Sequence, residues 1–292
     1  MVGIILAAGL GTRLYPATKV INKNILSLYD KPAIYYSLSI MMKLDIYEII
    51  IVCNKHEKDI YIKLFGKGNS IGLNIKYVCQ EMPEGIVDGV LRCKTYAQGR
   101  DLVLLLGDNF FYGQNFIETM INAIKSNNGA TMFGLLRDYE QVITTIEFNS
   151  NDEPVYLERL SAPKRKYISP GIFVYDKHLF EYLEKIDIEK CEWVEVNKKY
   201  LSLNMLKVIK FDPGMFWFDI GMPDTRLETE MLISLIQKEE GNYVGCVEEV
   251  AYRKKLIGKQ DLEKLIDEIK ECDYKRHLEY ILLTDNSIDG GG

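Results

Sequence analysis

Apolar runs of strand length recur through the first half of the chain and alternate with stretches of helical period. Gly3–Ala7 is continuously apolar and is followed by Gly9 and Gly11, the pattern of a strand buried on both faces of a parallel sheet. Pro32 opens an apolar helical segment, Ala33–Leu44, with proline at its favoured first position. The β-branched run Ile46–Cys53 predicts a second strand, Glu57–Phe65 a helix, Leu73–Cys79 a third strand and Asp88–Ala97 another helix. Asp101–Leu106 predicts a very apolar strand that ends in Gly107-Asp108-Asn109. A helix over Phe116–Lys125 and a strand over Ala130–Leu136 follow. Strands and helices alternating at these lengths predict βαβ units with right-handed crossovers.

The pattern loosens after residue 137. Val142–Phe148, Val155–Leu160 and Ile168–Tyr175 read as short strands, and Leu179–Lys185 and Trp193–Leu201 as helices. Leu206–Phe211 and Phe216–Asp219 return to strand, and Asp224–Lys238 predicts a long amphipathic helix. Val247–Leu283 reads as several helices, and the Gly-rich end, 285–292, as a disordered tail. The expected fold class is α/β: a Rossmann-like, mostly parallel central sheet flanked by helices, with an inserted half and a C-terminal helical extension.

Composition narrows the chemistry. Of 292 residues, 47% are hydrophobic and 27% charged, which is ordinary for a globular chain. The formal charge of −6 provides no basic footprint for nucleic acid. No apolar stretch approaches the ~20 residues that span a bilayer, and Met1-Val2-Gly3-Ile4 shows no basic leader. The expected setting is cytoplasmic, with no membrane partner. The six cysteines are dispersed without a CxxC pair, so they read as reduced, packed thiols. His56, His178 and His277 are too scattered to suggest a His-based triad or metal cluster.

The sharpest local feature is Leu6-Ala7-Ala8-Gly9-Leu10-Gly11-Thr12-Arg13-Leu14, directly after the first strand. Glycines there let backbone approach a phosphate, and amides at a following helix start can point at the anion. A dinucleotide fingerprint would need a third small residue where Leu14 stands, which disfavours an NAD-dependent oxidoreductase. A P-loop would need Gly-Lys-Ser/Thr, which is missing from the segment. A plain strand-to-helix turn stays open on this segment alone. Arg13 favours an anion site, because its fork can clamp a phosphate through two hydrogen bonds.

The segment continues through Tyr15-Pro16-Ala17-Thr18 to Lys23 and Asp30-Lys31-Pro32. Further on stand Leu106-Gly107-Asp108-Asn109-Phe110-Phe111-Tyr112-Gly113, Trp217-Phe218-Asp219-Ile220-Gly221 and Glu248-Glu249-Val250-Ala251-Tyr252-Arg253-Lys254. Together they resemble the sugar-1-phosphate nucleotidyltransferases, in particular the bacterial glucose-1-phosphate thymidylyltransferases. The likeness runs from residue 2 to about 284 and is loosest between 137 and 222. It implies a nucleotidyltransferase region over 1–240, with a nucleotide half to about 136, a sugar-binding half over 137–222, and a helical extension over 241–284.

The resemblance implies in-line attack of a sugar 1-phosphate oxygen on the α-phosphorus of a nucleoside triphosphate, dTTP or UTP, with pyrophosphate leaving. Arg13, Lys23 and Asp108 are the implied catalytic residues. Leu6, Ala8, Gly9, Gly11, Thr12, Arg13, Gln80, Pro83, Gly85 and Asp108 are the implied nucleotide contacts, with Gln80 suited to a base edge because an amide both donates and accepts. Asn109, Thr144, Glu158, Arg159 and Gly171 would hold the sugar phosphate, and Asp108 and Asp219 the Mg²⁺. The implied assembly is a homo-oligomer, a tetramer or dimer of dimers, with Tyr252 and Arg253 as candidate regulatory contacts.

The sugar half departs from the family pattern. Thr144 stands where glycine is expected, Arg159 replaces a lysine with a fork in place of a point charge, and Leu160 replaces a proline. Two readings follow: an active enzyme with an altered sugar pocket, or a non-catalytic nucleotide- or sugar-nucleotide-binding homologue with a regulatory or assembly role.

Overall fold

The computed structural model describes residues 1–82, 84–185 and 191–289. Twelve strands are present among them: β1 (Val2–Leu6), β2 (Ser27–Leu28), β3 (Lys31–Pro32), β4 (Glu48–Asn54), β5 (Asn74–Gln80), β6 (Leu102–Leu106), β7 (Asn109–Tyr112), β8 (Ala130–Phe148), β9 (Pro154–Ile168), β10 (Ile172–Tyr175), β11 (Leu206–Lys210) and β12 (Phe216–Asp219). The helices are α1 (Ile34–Lys43), α2 (Lys58–Phe65), α3 (Gly85–Leu91), α4 (Lys94–Ala97), α5 (Phe116–Lys125), α6 (Leu179–Leu183), α7 (Trp193–Ser202), α8 (Pro223–Glu240), α9 (Val247–Arg253), α10 (Lys259–Glu268) and α11 (Asp273–Asp289).

The central sheet has the order β11-β8-β10-β6-β1-β4-β5. β6, β1, β4 and β5 run parallel, as do β11 and β8, and β10 alone on this path is antiparallel to its neighbours. The continuous apolar runs of β1, β4 and β6 follow from burial on both faces. Ile5, Ile51 and Leu105 face one core, under α1, α2 and α5. Ile4, Ile50 and Leu104 face the other, under α3, α6 and α7. Gly3 keeps the first helix close: a Cβ there would lie 3.0 Å from both Met41 Sδ and Ile49 Cδ1.

Two sequence expectations change. The stretches read as separate short strands between 130 and 160 form two long ones, β8 with 19 residues and β9 with 15. Their ladder is irregular: Thr145 and Ile146 pair with Glu158 and Leu157 on one side and with Ile168 and Tyr167 on the other. Repeated register shifts break the simple alternation that marks a strand in sequence. The run Ile168–Tyr175 is conversely split at Ser169-Pro170-Gly171, with Gly171 at φ +71.

The extension packs on the α1 side of the sheet, with Val247, Ala251, Leu262, Ile266 and Leu278 in that core. One joint is Gly72 (φ +71), where a Cβ would fall 2.4 Å from Leu256 Cβ. Another is Lys31, only 5% exposed. Its ammonium donates to Asp30 and to the Val244 carbonyl (3.0 Å), over the rings of Tyr36, Tyr243 and Tyr274 at 5.0, 5.8 and 5.5 Å. α11 continues to Asp289, into the stretch that composition assigns to a disordered tail, of which 290–292 lie outside the described residues. Among the described residues, no helix is long and apolar enough to cross a membrane.

Candidate active site

The glycine loop is shaped by side chains that follow it. Gly11 adopts φ +64 and caps a single 3₁₀ turn over Thr12–Leu14. Thr18 Oγ1 donates to the Gly11 carbonyl (2.8 Å), Asn22 Nδ2 to Gly9 (3.2 Å) and Asn24 Nδ2 to Ala7 (3.3 Å). These bonds hold the loop carbonyls back against 18–24. A Cβ on Gly11 would meet Thr18 Cγ2 at 2.8 Å, so glycine is required by space as well as by φ.

The loop forms one wall of a cleft of about 400 Å³ at the carboxyl ends of β1 and β6. Leu6, Ala8, Gly9, Gly11, Thr12, Lys23, Gln80, Gly85 and Asp108 all line it. Gln80 Nε2 is held by Gly85 O (3.1 Å) and Asp88 Oδ2 (2.8 Å), which fixes its amide plane. Pro83 lies outside the described residues.

A second cleft of about 300 Å³ adjoins the first and shares Ile86, Leu106 and Asp108 with it. Arg13, Asn109, Thr144, Arg159, Gly171 and Asp219 line this one. Arg13 therefore faces the second cleft, although the resemblance groups it with the nucleotide contacts. Thr144 and Arg159 are ladder partners on β8 and β9, and Arg159 also reaches Glu192 at 3.5 Å. Glu158 is not brought to either cleft: it is exposed, and its carbonyl accepts Thr145 Oγ1 (3.1 Å). Neighbouring residues on a strand point to opposite faces, so Arg159 lines the cleft and Glu158 does not.

The two aspartates are brought together by the β7–β12 ladder, which pairs Asn109 with Asp219, and by the Ile220 amide donating to Asp108 O (3.0 Å). Each carboxylate carries its own cation. Lys23 donates to Asp108 Oδ2, and Asn109 Nδ2 to Asp108 Oδ1 (3.0 Å). Arg13 donates to Asp219 Oδ2 (2.8 Å), joined by the Tyr139 hydroxyl (3.1 Å), while the Gly221 amide donates to Oδ1 (2.9 Å). Trp217 Nε1 donates to Asn109 Oδ1 (2.6 Å) and so fixes the amide that faces Asp108. Burial pushes the Asp108 carboxyl up, but the Lys23 charge and the hydrogen bonds outweigh it and hold it below the usual carboxylate range. Burial likewise opposes the Arg13 charge, and Asp219 more than offsets it, so Arg13 is raised. Burial, then the Asp219 charge, raises the Tyr139 hydroxyl.

The donor set fits a hard divalent cation: two carboxylates beside a cleft that can admit phosphate oxygens and water. Among the described residues, the group of three side chains with closely set metal-type donors is elsewhere, at Cys246, Glu249 and His277. There His277 Nε2 lies 2.7 Å from Glu249, which also meets Arg253 at 2.6 Å, and the ion pairs account for the cluster.

Sequence reasoning missed Tyr139, Val142, Ile143, Ser169, Phe173 and Trp193 in the second cleft, and Asn22 and Asn24 as supports of the loop. Trp217 stood in a motif already singled out, but its bond to Asn109 is visible only in three dimensions.

A family model described as nucleotidyl transferase matches residues 2–234. The chain is 33% identical over 280 residues to a glucose-1-phosphate thymidylyltransferase of Xanthomonas campestris pv. campestris, covering 94% of this chain and 95% of that protein. It is 31% identical over 282 residues to the protein of the same name from Neisseria meningitidis, covering 95% and 98%. Among solved structures, a Bacillus anthracis chain described as a glucose-1-phosphate thymidylyltransferase superposes with a TM-score of 0.73 at 26% identity, over 80% of this chain and 95% of that one. A UDP-glucose pyrophosphorylase complexed with UDP-glucose shares the fold, with a TM-score of 0.68 at 17% identity, over 79% and 97%. The matched span takes in every candidate residue from Leu6 to Asp219, and the chain belongs to the nucleotidyl transferase family.

Proposed function

We propose that the protein joins dTTP or UTP to a sugar 1-phosphate, glucose 1-phosphate in the first instance, giving a dTDP- or NDP-sugar and pyrophosphate. The observation that carries this reading is the junction of the two clefts at Asp108, with a phosphate-cradling loop on one side and Arg159 on the other. A triphosphate in the first cleft and a sugar phosphate in the second would meet there as nucleophile and electrophile. A phosphate oxygen of the sugar 1-phosphate attacks the α-phosphorus, the bond to the β-phosphate oxygen breaks, and pyrophosphate leaves. No covalent enzyme intermediate is needed, so catalysis consists of alignment and neutralisation of charge.

The loop amides and Thr12 hold the triphosphate, Lys23 offsets its charge, Arg13 meets the reacting phosphate from the second cleft, and Gln80 meets the base. Arg159 takes the sugar phosphate, and Thr144 shapes the sugar side. Asp108 and Asp219 would hold Mg²⁺, which when bound neutralises charge on the reacting phosphate. We place the enzyme in the cytoplasm as a homo-oligomer. The exposed stripe Leu227, Met231 and Leu235 on α8 supports self-association. A non-catalytic homologue is not favoured, because the relatives carry an enzyme's name.

The test is pyrophosphate release with Mg²⁺, a panel of nucleoside triphosphates and a panel of sugar 1-phosphates. Release with dTTP or UTP and one sugar is expected, and silence across all pairs, with nucleotide binding intact, would sink the transfer reading. Thr144→Gly removes a side chain from the sugar cleft and is expected to raise kcat/KM for glucose 1-phosphate about tenfold, the scale of a methylene or two in a tight pocket. Unchanged kinetics would remove Thr144 from the sugar.

A further inference from the structure

Ser169 sits where β9 ends and the chain breaks before β10, in the wall of the second cleft. It is 4% exposed, and among the described residues its Oγ has no hydrogen-bond partner. Its amide donates to Thr144 O (2.8 Å), which holds the residue beside Thr144. Native proteins rarely leave such a group unpaired, because a desolvated hydroxyl without a partner is unfavourable by itself. Several neighbouring polar groups of this cleft are already matched. Asn109 is bonded at both ends of its amide, and Tyr139 and Arg13 are committed to Asp219. The Trp193 indole packs edge-on against Tyr175, with centroids 5.5 Å apart, and its buried Nε1, like Ser169 Oγ, has no hydrogen-bond partner among the described residues.

We propose that Ser169 Oγ is a specificity-determining contact that pairs with one hydroxyl of the bound sugar 1-phosphate. The proposal rests on reading the second cleft as the sugar side, as above. A free hydroxyl can both donate and accept, so it matches a sugar hydroxyl without a charge. It adds no affinity for the nucleoside triphosphate, whose cleft it does not line. A sugar hydroxyl would supply the partner that no described protein group supplies.

The experiment is Ser169→Ala, read first by calorimetric binding with Mg²⁺ and a non-hydrolysable dTTP analogue present. The probes are glucose 1-phosphate, galactose 1-phosphate, N-acetylglucosamine 1-phosphate and the monodeoxy glucose 1-phosphates. The variant is expected to bind the preferred sugar 1-phosphate about tenfold more weakly, the worth of one buried hydrogen bond, with dTTP affinity unchanged. One deoxy compound should bind wild type and variant equally, and it identifies the hydroxyl. Tm of the unliganded variant should equal or exceed that of wild type. Undiminished sugar binding by Ser169→Ala overturns the proposal, as does a lowered Tm, which would make Ser169 an internal support, or failure of all three parent sugars to bind wild type. Absence of pyrophosphate release with these binding differences intact would sink the transfer reading and leave Ser169 as the sugar contact.

Discussion

Asp108→Asn should lower kcat by about 10³-fold, the scale seen when a preorganised electrostatic partner of the reacting group is lost, while the affinity for nucleoside triphosphate changes little. The substitution preserves shape and can keep the contact with Asn109, so the fold should survive it. It removes the negative charge at the one acidic position shared by both clefts. Lys23, released from its partner, stays in the nucleotide cleft to meet the triphosphate. Loss confined to kcat is the signature of an interaction made in the transition state. Steady-state kinetics beside equilibrium binding of dTTP checks this, and normal turnover would remove Asp108 from the chemistry.

Lys23→Met should be the more damaging substitution for the protein itself. Both partners of the ion pair are largely buried, with side-chain exposures of 13% and 15%. Breaking such a pair leaves an uncompensated carboxylate and costs about 3 kcal/mol. That corresponds to a fall in Tm of about 6 °C or more for a chain of this size.

The pH dependence provides a sharper check. In wild type the Asp108 pKa is depressed, so its contribution to stability is complete above the ordinary carboxylate value of 3.8 and is lost as pH falls below it. Without Lys23 the burial that already pushes this carboxyl upward dominates, and the sign reverses. The variant then favours the protonated acid, a preference present near pH 4 and lost as pH rises towards neutrality. The Tm difference between the two proteins should therefore be small near pH 4 and large at pH 7. Parallel Tm–pH curves would show that Lys23 does not govern Asp108. Activity should vanish in the variant at every pH, because the same ammonium serves the triphosphate.

Much of the site was legible because its parts lie at the ends of strands that are buried on both faces. β1 and β6 carry unbroken apolar runs, and Gly9, Gly11 and Asp108 follow directly from where those runs stop. Lys23 could be placed only by its register with the glycine loop, since nothing local marks a lysine as buried. The long β8 and β9 were not legible as single strands. Their register shifts disturb the two-residue period, and β8 has no buried residue from 136 to 144. Glu158 was placed by the family resemblance; the ladder pairs it with Thr145, next to the Thr144–Arg159 pair that lines the cleft, and leaves Glu158 outside. Tyr139 and Ser169 reach the cleft through long-range pairing, and no spacing in the sequence records it. Lys31 was read as part of a motif; Tyr36 is near it in sequence, but Tyr243 and Tyr274 come from positions that only the packed extension brings near it.

That last arrangement bears on how the molecule is made. Lys31 emerges early from the ribosome, but the carbonyl that accepts from its ammonium belongs to Val244, 213 residues later, and Tyr274 comes later still. Until those residues are synthesised, Lys31 has Asp30 and Tyr36 beside it but not the Val244 carbonyl or the rings of Tyr243 and Tyr274. The two carboxylates of the candidate site show the same delay, since Asp219 pairs with Asn109 only after 110 further residues. Chain elongation thus completes the second cleft late: a product ending before Asp219 would lack that carboxylate and its contacts with Arg13 and Tyr139.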